Sequence, residues 1–287
     1  MSSRDRILAR AEAAATAAEA ASGLHIRILD RIDEHAAVRT LIEEVWHTGA
    51  GNPPVTADLL SAIRVSGGYV SGAFDEHGLA AAALGFFGPP TQRRLHSHIT
   101  GALPRTRGAG IGYALKLHQR AWALRQRVDT ITWTFDPLIR RNAYFNIGKL
   151  AASVTDYLPD LYGAMDDAIN RDDVTDRALA CWPLAHADVV AAASGRAAHL
   201  HRADFPSAAI ALRVGPIDDP VLGDSGADTV LIAIPEDIES MRATDPAKAT
   251  AWRIAVRNTL GALLEDGAVV RGFDRDGWYV VDRTENS

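Results

Sequence analysis

The sequence predicts a mixed α/β (α+β) fold, in which a mostly antiparallel sheet with flanking helices is followed by a smaller C-terminal α+β unit. Three observations predict it. Strand-like runs at Gly68 to Phe74, Leu79 to Phe87 and Leu95 to Leu103 follow one another with only short connections, and Asp75-Glu76-His77-Gly78 between the first two reads as a hairpin turn. Apolar runs and amphipathic helical segments then alternate as far as Pro183. After Pro183 the pattern restarts, with strands and helices of its own.

Residues 4–22 have high helix propensity but little beyond alanine to bury, which predicts a peripheral helix ending at Gly23. His25 to Asp30 alternates as a first strand. Asp33 is placed to cap a helix running to about His47, whose Val38, Leu41, Ile42, Val45 and Trp46 fall on one face. Asn52-Pro53-Pro54 breaks the chain before a second helix from Thr56 to about Val65. The three strands come next, with Gly88-Pro89-Pro90 ending the second and Pro104 the third. A turn from Arg105 to Gly112 opens a helix from Tyr113 to about Arg127. Thr130 to Phe135, β-branched and aromatic, forms another strand stopped by Asp136-Pro137. A helix near Asn142 to Leu150 and strands at Ser153 to Tyr157 and Arg177 to Trp182 follow, with a polar linker from Asp166 to Asp176.

In the C-terminal part the pattern predicts a helix near His186 to Arg196 and strands at Ala208 to Val214 and Thr229 to Ile234. A helix from about Pro246 to Asp266 precedes a hairpin of Ala268 to Phe273 and Trp278 to Asp282. Pro216 to Asp228, rich in Gly, Asp and Pro, reads as a flexible connection. The expected divisions are an N-terminal helix at 1–23, a main domain at 24–184 and an extension at 185–287.

Composition narrows the function classes. The 287 residues suffice for one large or two modest domains, and 47% hydrophobic with 23% charged residues is ordinary for a globular protein. A net charge of −6 argues against nucleic acid as a partner, because phosphate neutralisation requires a basic face. Cys181 is the single cysteine, so no internal disulfide forms, and its apolar setting reads as packing rather than nucleophilic chemistry. The longest apolar run, Leu79 to Phe87, is well short of the roughly 20 residues of a membrane helix. Glu12 and Glu19 break any secretory apolar core near the N-terminus, which leaves the cytoplasm as the expected compartment.

Gly108, Gly110 and Gly112 stand at a helix entrance. With no side chains to shield them, the backbone N–H groups there and the positive end of the helix dipole make an anion site suited to a pyrophosphate. A dinucleotide fingerprint starting at Gly108 would need glycine where Tyr113 stands, and no G-K-[ST] occurs. The spacing Arg107-x-x-Gly110-x-Gly112 instead resembles the acyl-coenzyme A signature of the GCN5-related N-acetyltransferase (GNAT) superfamily. The element order across residues 24–184 is what that resemblance requires. Trp133 to Leu138, Tyr157 to Gly163 and Ile234 to Asp237 extend it toward a branch of predicted acetyltransferases with a C-terminal extension.

The resemblance implies an enzyme that transfers an acetyl or related acyl group from acetyl-CoA or another acyl-CoA to a small amine or amino acid. Backbone around Ala102 and Leu103 would align the pantetheine where the fourth and fifth strands splay. Arg107, Gly108, Ala109, Gly110, Ile111 and Gly112 would bind the pyrophosphate, and Asn142 or Asn146 the pantetheine amides. A non-catalytic acyl-CoA sensor is the alternative. The family's usual glutamate is missing from the fourth strand, and Ile147 occupies the position of its usual tyrosine acid, a role that Tyr144, Tyr157, Tyr162 or water could fill instead.

The residues themselves offer a base. By strand alternation His96, His98 and Thr100 share one face, and a histidine there can take the proton an amine must lose before it attacks. His98, or else His96, is the candidate, with Thr100 beside the acceptor. Asp136, at the end of a strand, could pair with a cationic amine or cap the next turn. His96-x-His98 and His199-x-His201 lack a third spaced ligand, so no metal is expected. No membrane partner is expected, and a homodimer is left open.

Overall fold

Alternating or continuously apolar segments form the strands that the sequence predicts. In the N-terminal half these are β1 (His25–Ile28), β2 (Tyr69–Asp75), β3 (Gly78–Phe87), β4 (Arg94–Ala102) and β5 (Thr130–Phe135). The computed structural model describes residues 2–48, 53–106, 108–163 and 173–283. It divides into two compact units, Met1–Trp133 with Pro183–Gly195, and Thr134–Trp182 with Arg196–Ser287. This division differs from the sequence expectation of a boundary at 184, because residues 134–182 pack with the C-terminal part.

In the first unit the strands lie in the order β1-β2-β3-β4-β5. The first three neighbouring pairs are antiparallel and β4 with β5 is parallel. One face of the sheet is closed by α2 (Ile32–Trp46) and α3 (Ala57–Val65), and Val38, Leu41, Ile42 and Leu60 meet Val70, Ala82 and Leu84 there. Each such fully buried Leu or Ile contributes roughly 1.5–3 kcal/mol over its exposed state. The start of α2 differs from expectation. Arg31, not Asp33, occupies the cap, and the Glu34 carboxylate reaches back to accept the N–H groups of Asp30 and Arg31, both at 3.1 Å.

The other face carries α4 (Ile111–Arg125), against which α1 (Ser3–Ser22) packs its buried Ala11 and Ala15. Small residues suffice there because α1 has no large apolar stripe to bury. The short α6 (Ala187–Ala192), contracted from the expected helix at 186–196, belongs to the same unit. Tyr113 donates to the Ala192 carbonyl at 2.8 Å, and buried Arg120 donates twice to the Leu184 carbonyl, at 3.0 and 2.6 Å. These bonds fix α4, and with it the turn that precedes it.

The second unit begins with α5 (Arg140–Ala143), which runs into a π-helical turn at Tyr144–Lys149. Next comes the antiparallel pair β6 (Ser153–Leu158) and β7 (Arg177–Pro183). A second sheet of β8 (Ala209–Val214), β9 (Pro220–Leu222), β10 (Thr229–Ala233), β11 (Val269–Asp274) and β12 (Trp278–Asp282) has the order β11-β12-β10-β8-β9. Strand β9 falls inside the tract expected to be a flexible connection. The bond from Gly215 N–H to the Asp219 carbonyl, 2.8 Å, turns the chain back along β8. Two helices, α7 (Ile238–Thr244) and α8 (Pro246–Val256), follow β10, and α8 continues through a π-helical turn into α9 (Ala262–Glu265).

Candidate functional site

Strand β4 pairs with β5 only at Arg94↔Thr130, Leu95↔Ile131 and His96↔Thr132. Beyond His96 the strand runs on to Ala102 beside β3 alone among the described residues. The Leu103 N–H donates to the Ala80 carbonyl at 2.9 Å, which makes Leu103 and Ala80 a hydrogen-bonded antiparallel pair. By alternation Ala102↔Ala81 and Thr100↔Ala83 are the non-bonded pairs, whose amides and carbonyls point away from β3. These backbone groups therefore face the side that β5 has left. Leu103 does not join them. Its N–H serves Ala80, and its carbonyl accepts the Thr106 N–H at 3.0 Å and hydroxyl at 2.8 Å.

A short 3₁₀ turn, Pro104–Thr106, leads from β4 toward α4, and Arg105 anchors it on Asp75 at 2.8 Å and on the Leu79 carbonyl at 3.1 Å. Arg107 lies outside the described residues. Gly108 and Gly110 have φ of +85° and +73°, the left-handed region that only glycine adopts without strain. A Cβ at either position would meet nothing within 4 Å. Gly108, Ala109 and Gly110 are exposed, Ala109 donating to the Thr106 carbonyl at 3.2 Å, and Gly110 caps α4 with no side chain in front of it. Ile111 is buried and Gly112 half-buried. The first N–H groups of a helix have no intrahelical acceptor, so this open entrance fits a phosphate group.

The histidines correct the sequence reading of β4. Leu84 pairs with Ile99 and Gly85 with Ser97, so His98 is the extra residue of a β-bulge. His96 is in register with Phe86 and Thr100 with Ala83, positions of opposite parity on β3, so Thr100 faces away from His96 rather than sharing its face. His98 stays with His96. Their ring centroids are 6.0 Å apart, and Phe86 lies 5.3 Å from His96 and 5.6 Å from His98. Burial, with the charges of His98, Lys116 and Arg94, pushes His96 down to about 4, and burial also lowers His98. His96 is therefore neutral at physiological pH, and the more exposed His98 is displaced in the same direction. Nδ1 of His96 is within 3.4 Å of the Thr132 hydroxyl, which leaves Nε2 as the other ring nitrogen.

Sequence reasoning missed Lys116. It occupies a buried face of α4 between Leu115 and Leu117, with its Nζ 3.0 Å from Ser97 Oγ, and burial pushes its amine down to about 7. A lysine flanked by apolar residues within a helix was the available signal.

Asp136 is not the accessible carboxylate expected for a substrate amine. It is buried in the second unit, accepts from Arg253 at 2.8 and 2.9 Å and from Arg242, and caps Leu138 N–H at 2.9 Å. Asp173 bridges the same two arginines, at 2.9 and 2.8 Å. Asn142 lies on α5, where its N–H donates to the Ile139 carbonyl at 2.9 Å. Of the tyrosines considered as acids, Tyr157 donates to Asp176 at 2.7 Å, and burial together with that carboxylate raises its pKa far above the ordinary phenol. The Tyr162 hydroxyl is 2.9 Å from that of Thr134, and Arg275 stacks 5.5 Å from the Tyr144 ring. Among the described residues no cluster of His, Cys, Asp and Glu could hold a metal ion, and no helix is long and apolar enough to cross a membrane.

No protein-family model and no curated protein matches the sequence. Solved structures do resemble it. An N-acetyltransferase from Staphylococcus aureus Mu50 matches 56% of this chain and 98% of its own at 14% identity, TM-score 0.47. A ribosomal-protein-S18-alanine N-acetyltransferase from Escherichia coli matches 57% of this chain and 96% of its own at 16% identity, TM-score 0.45. A GNAT superfamily phosphinothricin acetyltransferase from Sinorhizobium meliloti, in complex with AcCoA, matches 56% and 88% at 17% identity, TM-score 0.46. These three solved chains are acetyltransferases, and the one from Sinorhizobium meliloti is a member of the GNAT superfamily.

Proposed function

We propose that this protein is an acyl-CoA-dependent N-acyltransferase acting on a small amine or amino-acid-like acceptor by direct transfer. One arrangement carries the reading. The left-handed Gly108 and Gly110 open the entrance of α4 immediately after a strand whose Thr100 and Ala102 backbone groups face away from β3. The amides of Gly108, Gly110, Ile111 and Gly112 would hold the pyrophosphate, and the backbone of Thr100 and Ala102 would orient the pantetheine. Acyl-CoA, when bound, supplies the acyl group as an activated thioester. The imidazole of His98, or the neutral one of His96 at Nε2, would accept the proton lost by the attacking amine.

The second reading, a non-catalytic acyl-CoA sensor, is favoured by the state of the acids. Ile147 stands where the family's tyrosine would, and Tyr157 is already committed to Asp176. Release of free thiol from acetyl-CoA in the presence of a panel of amines, including amino acids, separates the two. Amine-dependent release supports the enzyme. Coenzyme A binding without release for any amine supports the sensor, and absence of binding removes both.

A further inference from the structure

The amine of Lys116 touches two strands at once. Its Nζ is 3.0 Å from Ser97 Oγ on β4 and 3.8 Å from the centroid of the Trp133 ring on β5, with Gln119 Oε1 at 3.5 Å. Only 5% of Lys116 is exposed, and no carboxylate is among these contacts. Keeping an ionisable amine there is costlier than keeping an apolar side chain of equal length, so its presence calls for a reason beyond filling space.

The positions of the two strand contacts supply that reason. The last β4/β5 pair is His96↔Thr132. Ser97 and Trp133 are the next residue on each strand, the first pair that a continued ladder would contain. The hydroxyl takes a donated hydrogen bond, and the indole face takes a contact that is cation–π when the amine is protonated, interactions that a nitrogen makes and a methyl group does not. One residue later on β4 comes the bulged His98. The side chain thus ties together the two arms of a fork at the point where they part.

We infer that Lys116 is a positioning residue, a clamp that fixes where β4 and β5 separate and so holds the cleft-facing backbone of β4 in place. The clamp is a property of the free protein; only the identity of the ligand in the cleft rests on the acyl-CoA reading.

The test uses the full chain with Lys116→Met, which keeps length and removes the amine. Residue-resolved amide exchange of the free variant should accelerate about tenfold or more at Leu95 to Ser97 and Ile131 to Trp133, while β2 exchanges as before. Its thermal midpoint should equal or exceed that of the wild type, because a buried polar amine has been replaced by an apolar side chain of similar length. Ser97→Ala, a milder change, should accelerate the same amides by less. Unchanged exchange at the fork in both variants overturns the inference. So does a uniform acceleration over all strands with lowered stability, which would make Lys116 an ordinary core residue. Titration with coenzyme A itself should show binding weakened by about tenfold in Lys116→Met, and equal affinity contradicts the positioning role. If the wild type binds no coenzyme A, the acyl-CoA reading falls, and the exchange result alone decides the clamp.

Discussion

Asp136 presents both carboxylate oxygens to the terminal nitrogens of Arg253, at 2.8 and 2.9 Å, although the two residues stand 117 positions apart. Burial opposes ionisation of this carboxyl, but Arg253 and Arg242 outweigh it and hold its pKa well below the usual carboxylate range. Asp136→Asn should therefore destabilise the protein by up to roughly 3–5 kcal/mol, because the buried Arg242 and Arg253 would then share the single carboxylate of Asp173. Chemical denaturation measures this. Because the folded pKa is depressed, the wild-type contribution is full above the unfolded value of ~3.9 and is lost as pH falls below it, and the variant should lack that acid-side loss.

Gly110→Val isolates the turn. An L side chain in the left-handed region costs about 1–2 kcal/mol, and no neighbour stands within 4 Å to clash, so the variant should fold. Its branched side chain would occupy the open space before the α4 amides. Calorimetry should then show coenzyme A affinity reduced by at least about tenfold, or ~1.4 kcal/mol. Unchanged affinity in the folded variant would mean that the phosphates bind elsewhere.

His98→Gln and His96→Gln test the base. The variant of the true base should lose roughly 10²- to 10⁴-fold in turnover with donor affinity nearly preserved. Both imidazoles are lowered, so the acid limb of the wild-type rate should lie below the ordinary ~6.5, and near 4 if His96 is responsible. An acceptor amine of lower pKa is the control, because an enzymic limb keeps its midpoint. Stability carries the same sign. The unfolded chain binds the His96 proton more readily, so stability should fall as pH drops from ~6.5 toward 4, and His96→Gln should flatten that slope.

The sequence made the strand, turn and helix around Gly108–Gly112 legible, because apolar runs, left-handed glycines and helix periodicity are local signals. The C-terminal hairpin was legible for the same reason, Asp274 to Gly277 forming its turn. The bulge at His98 was not. A bulge adds one residue to one strand and leaves the composition of that strand unchanged. The trace it did leave lies on the neighbour: a Cβ at Gly85 would stand 2.8 Å from the His96 carbonyl, so glycine is required there. Of the two readings of Asp136, the cap on the next turn holds in its bond to the Leu138 N–H, whereas its arginine partners on α7 and α8 were illegible because their sites are fixed only by the tertiary fold. Lys116 was overlooked because burial of a lysine depends on which helix face meets the sheet, and α4 is covered on more than one side.

The most direct test of the acyl-CoA site is a titration of the isotope-labelled protein with coenzyme A, read amide by amide. The account predicts saturable shifts that are largest at residues 108–112 and at Thr100 and Ala102, with the β11/β12 hairpin unmoved. No shift at millimolar coenzyme A, or shifts that leave the turn and β4 untouched, would contradict it.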